Sequence, residues 1–108
     1  MNVIMMTQGT PIEFRYDKKI ITFGDDDLSL NLKNREMDEK VIIDICSDRN
    51  GFLVVGCETG YSYTAQVEIP AREYTQTEAE DDFGEPYINL EPVPFDIEKC
   101  TLYLWGDR

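Results

Sequence analysis

The stretch from Val41 to Pro70 constrains the fold of this chain more than any other part of the sequence. Two apolar, β-branched runs, VIIDIC and FLVVGC, stand on either side of the pair Asn50-Gly51, and a third run, YSYTAQVEIP, follows a short glycine-containing turn. Asn-Gly between such runs is a strong hairpin signal, because both residues tolerate a positive φ. The stretch therefore predicts a three-stranded antiparallel meander whose first hairpin turns at Asn50 and Gly51.

Short alternating segments continue on both sides of the meander. Before it, Ile12, Phe14 and Tyr16 alternate with charged residues, and a similar run spans residues 28–33. After it, a final strand is expected from Thr101 to Trp105. Eight or nine short strands at spacings of roughly 8 to 12 residues are typical of a sandwich or barrel. We therefore predict that residues 1–108 form one all-β domain, an antiparallel β-sandwich of immunoglobulin-like or jelly-roll-like type with little or no helix.

The pattern within the meander also predicts which side chains are buried. The run at 41–46 is apolar on both faces, which is typical of a strand in the middle of a sheet that is covered above and below. From Tyr61 to Ile69 apolar and polar residues alternate strictly, so this strand should have one dry and one wet face. The same alternation places Tyr61 and Tyr63 in the core.

A change of composition marks the segment from Thr75 to Pro86, TQTEAEDDFGEP. Five of its residues are acidic and Phe83 is its one sizeable apolar side chain. We interpret residues 75–86 as an acidic, mobile loop, and Tyr74 beside it as exposed. Such a loop is the best candidate for contacts with a partner. The candidate partner-binding residues are Tyr74, Glu78, Glu80, Asp81, Asp82 and Phe83.

The chain contains no histidine, and this limits the chemistry that it can perform. Ser-His-Asp and Cys-His nucleophile activation and histidine-containing metal sites are excluded. Asp44 interrupts an apolar strand, and the two-residue turn would place it opposite Cys57. A lone acid in a strand is more often satisfied by a polar neighbour than catalytic. We therefore predict no catalytic residue, no cofactor and no enzymatic activity.

Two acidic clusters have the side-chain chemistry that Ca²⁺ prefers. Neither matches the ligand spacing of an EF-hand loop. Turn formation and solubility explain both clusters more simply, so we predict no metal site. The candidates for metal binding are Asp25, Asp26, Asp27, Glu80, Asp81 and Asp82.

The three cysteines, Cys46, Cys57 and Cys100, form no CxxC motif. An odd number of cysteines argues against a disulfide framework, and the two-residue turn pairs Cys46 with Val55. We therefore predict that Cys46 and Cys57 are not joined and that all three thiols are reduced. The N-terminus lacks the pattern of a signal peptide, and no run approaches the roughly 20 apolar residues of a membrane-spanning helix. A cytoplasmic location follows from these points.

Two segments resemble small uncharacterised proteins encoded in prophages of Gram-positive gut bacteria. They are VEIPAREY, residues 67–74, and EPVPFDIEKCTLYLW, residues 91–105. No activity is attached to that group, so the resemblance implies no site. It implies a virion, assembly or accessory protein, and a location in the virion if the chain is part of a phage particle.

The net charge of −12 bears on the choice of partner. Such a field repels nucleic acid and anionic membranes. We therefore predict a non-enzymatic protein-interaction or structural module that binds a protein, basic or a second copy of itself, with no direct contact to nucleic acid or membrane. Two alternatives remain open. The first is an acidic inhibitor that imitates nucleic acid and occupies a basic groove, and the second is a carbohydrate- or calcium-binding module.

Overall fold

A computed structural model describes residues 1–106 of the chain. These residues form ten β-strands and two short 3₁₀ turns, at Lys33–Arg35 and Ile97–Lys99. The strands are β1 (Asn2–Met5), β2 (Phe14–Tyr16), β3 (Ile20–Phe23), β4 (Leu28–Asn31), β5 (Val41–Ser47), β6 (Leu53–Val55), β7 (Ser62–Ile69), β8 (Tyr74–Glu80), β9 (Pro86–Pro92) and β10 (Thr101–Leu104). The predicted all-β fold with little helix is confirmed, with ten strands in place of eight or nine.

The strands form three sheets. The main sheet has the order β1-β10-β7-β5-β6, the small sheet has the order β2-β3-β4, and β8 and β9 pair only with each other. All pairs are antiparallel except β1 with β10, which is parallel. We call the β8–β9 hairpin, residues 74–92, the arm.

The core lies between the main sheet and the small sheet. Ile45 and Val67 of the main sheet and Ile21 and Phe23 of the small sheet are fully buried in one cluster. Fully burying an aliphatic or aromatic side chain of this size stabilises the fold by about 1.5–3 kcal/mol. The predicted dry face of β7 is confirmed at its C-terminal half, where Ala65, Val67 and Ile69 are all buried. No residue of the arm belongs to this cluster among residues 1–106.

The turn of the first meander hairpin differs from the prediction by one residue. Asp48 and Phe52 close the hairpin, because the Asp48 N–H donates to the Phe52 carbonyl at 2.8 Å. Arg49, Asn50 and Gly51 form a three-residue loop, and Gly51 takes the positive φ of 84°. Cys46 therefore pairs with Val54 and not with Val55. A one-residue slip of this kind is set by loop geometry, which the Asn-Gly pair alone does not specify.

Cys46 and Cys57 form a disulfide, with their Cα atoms 5.6 Å apart, so the prediction of unpaired cysteines is wrong. The reason lies at Gly56, which follows the last residue of β6. Its N–H donates to the Asp44 carbonyl at 2.8 Å, and its φ of 98° turns the chain away from a strand path. Cys57 consequently does not lie opposite Asp44, and it reaches Cys46 instead.

The outer face of the main sheet is not covered, contrary to the expectation for β5. β5 does lie inside the sheet, between β7 and β6. Ile42 on its outer face is nevertheless 44% exposed. The predicted burial of Tyr63 is also wrong, since a break in register between Ile45 and Cys46 changes the pairing and leaves Tyr63 44% exposed.

The segment that was predicted as a mobile acidic loop, residues 75–86, is not a loop. Residues 75–80 belong to β8, Pro86 begins β9, and only residues 81–85 form a turn. The alternation of threonine with polar residues in TQTEAE suits a solvated strand. The acidic composition led to the prediction of a loop. Acidic residues indicate exposure to solvent, but they do not distinguish an exposed strand from a loop.

Candidate functional site

The arm is the most conspicuous feature of the molecule. Its two strands pair over seven residues each, from Tyr74 opposite Pro92 to Glu80 opposite Pro86. Strands of this length extend for about 24 Å. The molecule measures 63 × 24 × 23 Å, and its radius of gyration is 18.3 Å. A compact chain of this length would have a radius of gyration of about 13 Å. The arm therefore makes the molecule elongated.

The tip of the arm is a tight loop held by one aspartate. The Asp81 carboxylate accepts hydrogen bonds from the N–H groups of Phe83 at 2.8 Å and Glu85 at 2.9 Å. Gly84 supplies the positive φ of 75° that the loop requires. Asp48 plays the same part in the meander hairpin, where it accepts from Asn50 and Phe52. The two hairpins share a D-x-x-G pattern, which the sequence contains twice at positions 48 and 81.

The loop geometry leaves the side chain of Phe83 at the tip, 91% exposed. Phe83 thus stands in solvent together with Asp82. Tyr74, at the other end of the arm, is exposed as predicted. The predicted partner-binding residues therefore all lie on the arm, although Asp81 is occupied in building the loop.

The arm has two chemically different faces. On one face the acidic and polar side chains of β8 lie beside the apolar side chains of β9, with Glu78 opposite Ile88 and Gln76 opposite Leu90. Ile88 is 62% exposed and Leu90 is 54% exposed. On the other face, Thr77 lies opposite Asn89. The face with Ile88 and Leu90 is thus an unshielded apolar row.

Sequence reasoning missed Ile88 and Leu90 as site residues. Their signal was present, because apolar and polar residues alternate in Pro86–Pro92 and a proline stands at each end. Prolines in a sheet occur at edges, where no N–H is needed. The segment could therefore have been identified as an exposed edge strand.

The root of the arm is fixed to the body by a hydrogen-bonded network around Arg72. Its guanidinium donates to the Glu36 carbonyl at 2.9 Å, to the Glu36 carboxylate at 3.3 Å and to the Asp38 carboxylate at 3.2 Å. The Tyr74 hydroxyl donates to the same Asp38 carboxylate at 2.5 Å. Lys99 adds an ion pair to Glu73 at 3.3 Å. These contacts set the direction in which the arm leaves the body.

The two acidic clusters of the sequence include turn residues whose partners the structure shows. No group of three or more carboxylates or thiols among residues 1–106 is arranged to hold a metal ion. In the first cluster Asp26 pairs with Arg15, and its φ of 62° places it in the β3–β4 turn. In the second cluster Asp81 accepts two backbone hydrogen bonds. Both findings match the interpretation of turn chemistry.

Asp44, which interrupts the apolar run of β5, has a polar neighbour. Asp44 accepts a hydrogen bond from the Gln66 amide at 2.7 Å across the outer face of the main sheet. It does not lie opposite Cys57, but the expectation of a polar neighbour is confirmed. Burial raises the pKa of the Cys100 thiol to about 11. A thiol with such a pKa is protonated at neutral pH and a poor nucleophile.

An aromatic pair lies at one end of the main sheet. The rings of Tyr63 and Trp105 stack with centroids 5.0 Å apart, beside an open depression of about 500 Å³. The hydroxyls of Ser47 and Thr64, 3.0 Å apart, also line it. Aromatic rings beside hydroxyls can contact sugars. Here the two rings cover each other, so this depression supports a carbohydrate site less than the arm supports a protein site.

No protein-family model matches this chain, and no curated protein or solved structure matches it. Within residues 1–106, no helix is long and apolar enough to cross a membrane. The class of protein is therefore defined by the fold and the site alone. It is an all-β domain with a buried core between two sheets and a protruding β-arm, whose strand β9 exposes a row of apolar side chains.

Proposed function

We propose that the chain is a non-enzymatic protein-interaction or structural module that works through its arm. The observation that carries this proposal is the position of the β8–β9 hairpin, which pairs with neither sheet and holds its apolar side chains in solvent. An isolated two-stranded hairpin is marginally stable in water. An unshielded sheet edge is also a template for pairing with another chain. Both costs are offset if the arm is bound by a protein.

The residues that act in this proposal are the apolar side chains Ile88 and Leu90 on β9 and Phe83 at the tip. Aromatic and aliphatic anchors of this kind dominate the energy of protein interfaces. Burial of apolar surface contributes about 25 cal/mol for each Å² removed from water. The acidic side chains of β8 and the tip favour a surface without negative charge.

The resemblance to prophage-encoded proteins makes a virion, assembly or accessory component the natural setting for this module. We place it in the cytoplasm or in a virion. The Cys46–Cys57 disulfide removes the argument that reduced cysteines gave for the cytoplasm, since disulfides persist mainly in oxidising surroundings.

Imitation of nucleic acid receives less support from the distribution of charge. A mimic needs a continuous acidic face. In the arm, Glu78 lies beside Ile88, and Glu91 lies on the opposite face next to Thr75. Several acids of the body are also partnered by cations, such as Glu36 by Arg72 and Glu68 by Lys40. Binding to a basic protein that weakens steeply with added salt would support the alternative of a nucleic-acid mimic.

The test is capture of a bound protein by the chain as bait in extract from the source cells. The informative variant is Ile88→Lys, which places a charge in the apolar row. Thr77→Lys is its matched control, because Thr77 is an exposed residue of the neighbouring strand β8 and lies on the opposite face of the arm. We expect Ile88→Lys to abolish capture and Thr77→Lys to retain it. Equal capture by the wild type and both variants would contradict the proposal.

A further inference from the structure

We propose that the free edge of β9 pairs with the free edge of β1 in a second copy of this chain. The inference rests on the proposed function, because it takes the arm to be the interaction element and names what the arm binds. In the proposed contact, Leu90 of one copy lies opposite Val3 of the other, and Ile88 lies opposite Met5. The arm thereby becomes an additional strand of the neighbour's main sheet.

The hydrogen-bond pattern of the arm identifies the backbone groups that face outward on β9. The Val93 N–H donates to the Glu73 carbonyl at 2.8 Å, and the Asp81 N–H donates to the Glu85 carbonyl at 3.0 Å. In an antiparallel pair such bonded positions alternate with unbonded ones. The N–H and C=O groups of Ile88 and Leu90 therefore point away from β8.

Two prolines limit this edge to a short window. Pro86 and Pro92 occupy the outward positions on either side of Ile88 and Leu90, and proline has no N–H to donate. An incoming strand can therefore receive hydrogen bonds from β9 only at Ile88 and Leu90. The segment of β9 that is available for pairing, which we call its window, therefore spans residues 88–90.

The free edge of β1 offers a window of the same length. The Asn2 N–H donates to the Cys100 carbonyl at 3.0 Å, and the Met6 N–H donates to the Leu104 carbonyl at 2.8 Å. Even-numbered residues of β1 thus face β10, and the backbone groups of Val3 and Met5 face outward. Every residue of β1 is exposed, whereas the edge strands β2, β4 and β6 each include residues that are at least partly buried.

The two windows fit each other in an antiparallel register. Val3 with Leu90 and Met5 with Ile88 form two bonded pairs, which together exchange four N–H···O=C hydrogen bonds. Residues that are directly opposite share a face of the sheet, so all four apolar side chains come together. A shift by one residue would bring the outward groups of one strand against the inward groups of the other.

Charge favours β1 over another arm as the occupant. Residues 73–92 contain seven acidic residues and no lysine or arginine, whereas residues 1–12 contain no charged side chain. Two arms side by side would repel each other. The other edge of the arm, β8, is protected by Glu78 and Glu80, as is usual for edges that must stay unpaired. The acidic arm therefore pairs with a strand that carries no acidic side chain.

The experiment measures self-association of the full chain by sedimentation velocity over a range of concentrations. Leu90→Pro removes one outward N–H of β9 without touching a hydrogen bond to β8. Gln76→Pro is the matched control, because Gln76 lies directly opposite Leu90 and faces outward on the other edge. We expect the wild type and Gln76→Pro to associate with equal affinity. Leu90→Pro should associate at least about tenfold more weakly.

Mixing variants then tests which edges meet. Val3→Pro removes an outward N–H of β1 and leaves the arm intact, whereas Leu90→Pro leaves β1 intact. Each variant alone should associate at least about tenfold more weakly than the wild type, whereas an equimolar mixture should form a one-to-one complex. Circular dichroism of each variant verifies its fold. A symmetric arm-to-arm contact predicts no such rescue, and absence of a complex in the mixture overturns the proposal.

Two further results would also overturn the inference. The first is a wild-type chain that sediments as a monomer at every concentration. The second is equal association of Leu90→Pro and Gln76→Pro. The wild type could be monomeric and yet capture a different protein from cell extract that Ile88→Lys does not capture. In that case this inference fails and the proposed function stands.

Discussion

At the scale of single residues, two aspartates perform the same task in different surroundings. Asp48 and Asp81 each accept two backbone hydrogen bonds within a D-x-x-G loop. The loop of Asp48 belongs to the main sheet, whereas the loop of Asp81 is at the tip of the free arm. The same substitution should therefore have different consequences at the two positions.

We predict that Asp48→Ala lowers the free energy of unfolding by about 1–2 kcal/mol, because two hydrogen bonds to a carboxylate are lost. Asp81→Ala should leave the global unfolding midpoint unchanged and speed amide hydrogen exchange within the arm only. Asp82→Ala serves as the control, since it removes the same charge one residue further on. An equal loss of global stability in Asp81→Ala would show that the arm unfolds together with the body.

The disulfide makes a second prediction at this scale. Cross-linking two positions with a sequence separation of 11 should stabilise the fold by about 3 kcal/mol through the entropy of the unfolded chain. Cys57→Ser should show this loss in denaturant titration, and reducing agent should destabilise the wild type but not the variant. A count of three reactive thiols in the unreduced, denatured wild type would contradict the disulfide.

Cys100 gives a prediction about pH. Its folded pKa of about 11 lies above the ordinary value of 9.0, because burial penalises the thiolate. The unfolded chain therefore loses this proton at lower pH than the folded chain does. The associated stability is complete below pH 9 and is lost as the pH rises toward about 11. Unfolding measured across this range should show the decline, and Cys100→Ala should show less of it.

At the scale of the elements, the arm and the body are separate units of stability. The buried core is built from the main and small sheets and the residues between them, and no arm residue within 1–106 enters it. The arm meets the body at its root, through Arg72, Glu73 and Tyr74. Removal of the arm beyond this root should thus leave the core intact.

We predict that replacing residues 76–90 by a short Gly-Ser link changes the free energy of unfolding by about 1 kcal/mol or less, since the entropy of loop closure varies slowly with length. Phe23→Ala is the contrasting variant, because Phe23 is fully buried and its loss should cost about 3–5 kcal/mol. Thermal melts compare the three proteins. A shortened chain that melts as low as Phe23→Ala would show that the arm is structural.

At the scale of the whole molecule, the exposed apolar edges and the net charge have opposite effects on self-association. The exposed apolar edges of β1 and β9 favour contact between copies, and the net charge of −12 opposes it. Salt screens such repulsion over distances beyond about 8–10 Å at physiological strength. Self-association and binding of a basic partner should therefore respond to salt with opposite signs.

We predict that self-association of the wild type strengthens when NaCl is raised from about 0.05 to 0.5 M. Light scattering at fixed protein concentration measures the effect, and Leu90→Pro provides the baseline without the contact. Association that weakens over the same range would point to attraction between unlike charges and against an apolar contact between acidic copies.

The sequence by itself determined the all-β class, the single core and the dry face of β7. These follow from alternation, which the period of a strand dictates whatever the strand pairs with. The absence of histidine likewise limits the chemistry through composition alone, whatever the fold. The exposure of Tyr74 and the turn chemistry of the acidic clusters were also accessible, because they depend on residues close together in the chain.

Only the tertiary structure decided which edges remain free. The prediction of a loop at residues 75–86 was wrong because β8 pairs only with β9 and buries almost nothing, so no apolar period marks it. The disulfide depended on a one-residue change in the meander turn and on the bend at Gly56. The exposure of β1 depends on its pairing with β10, which comes from the other end of the chain. Pairing of this kind joins distant segments, and local patterns do not encode it.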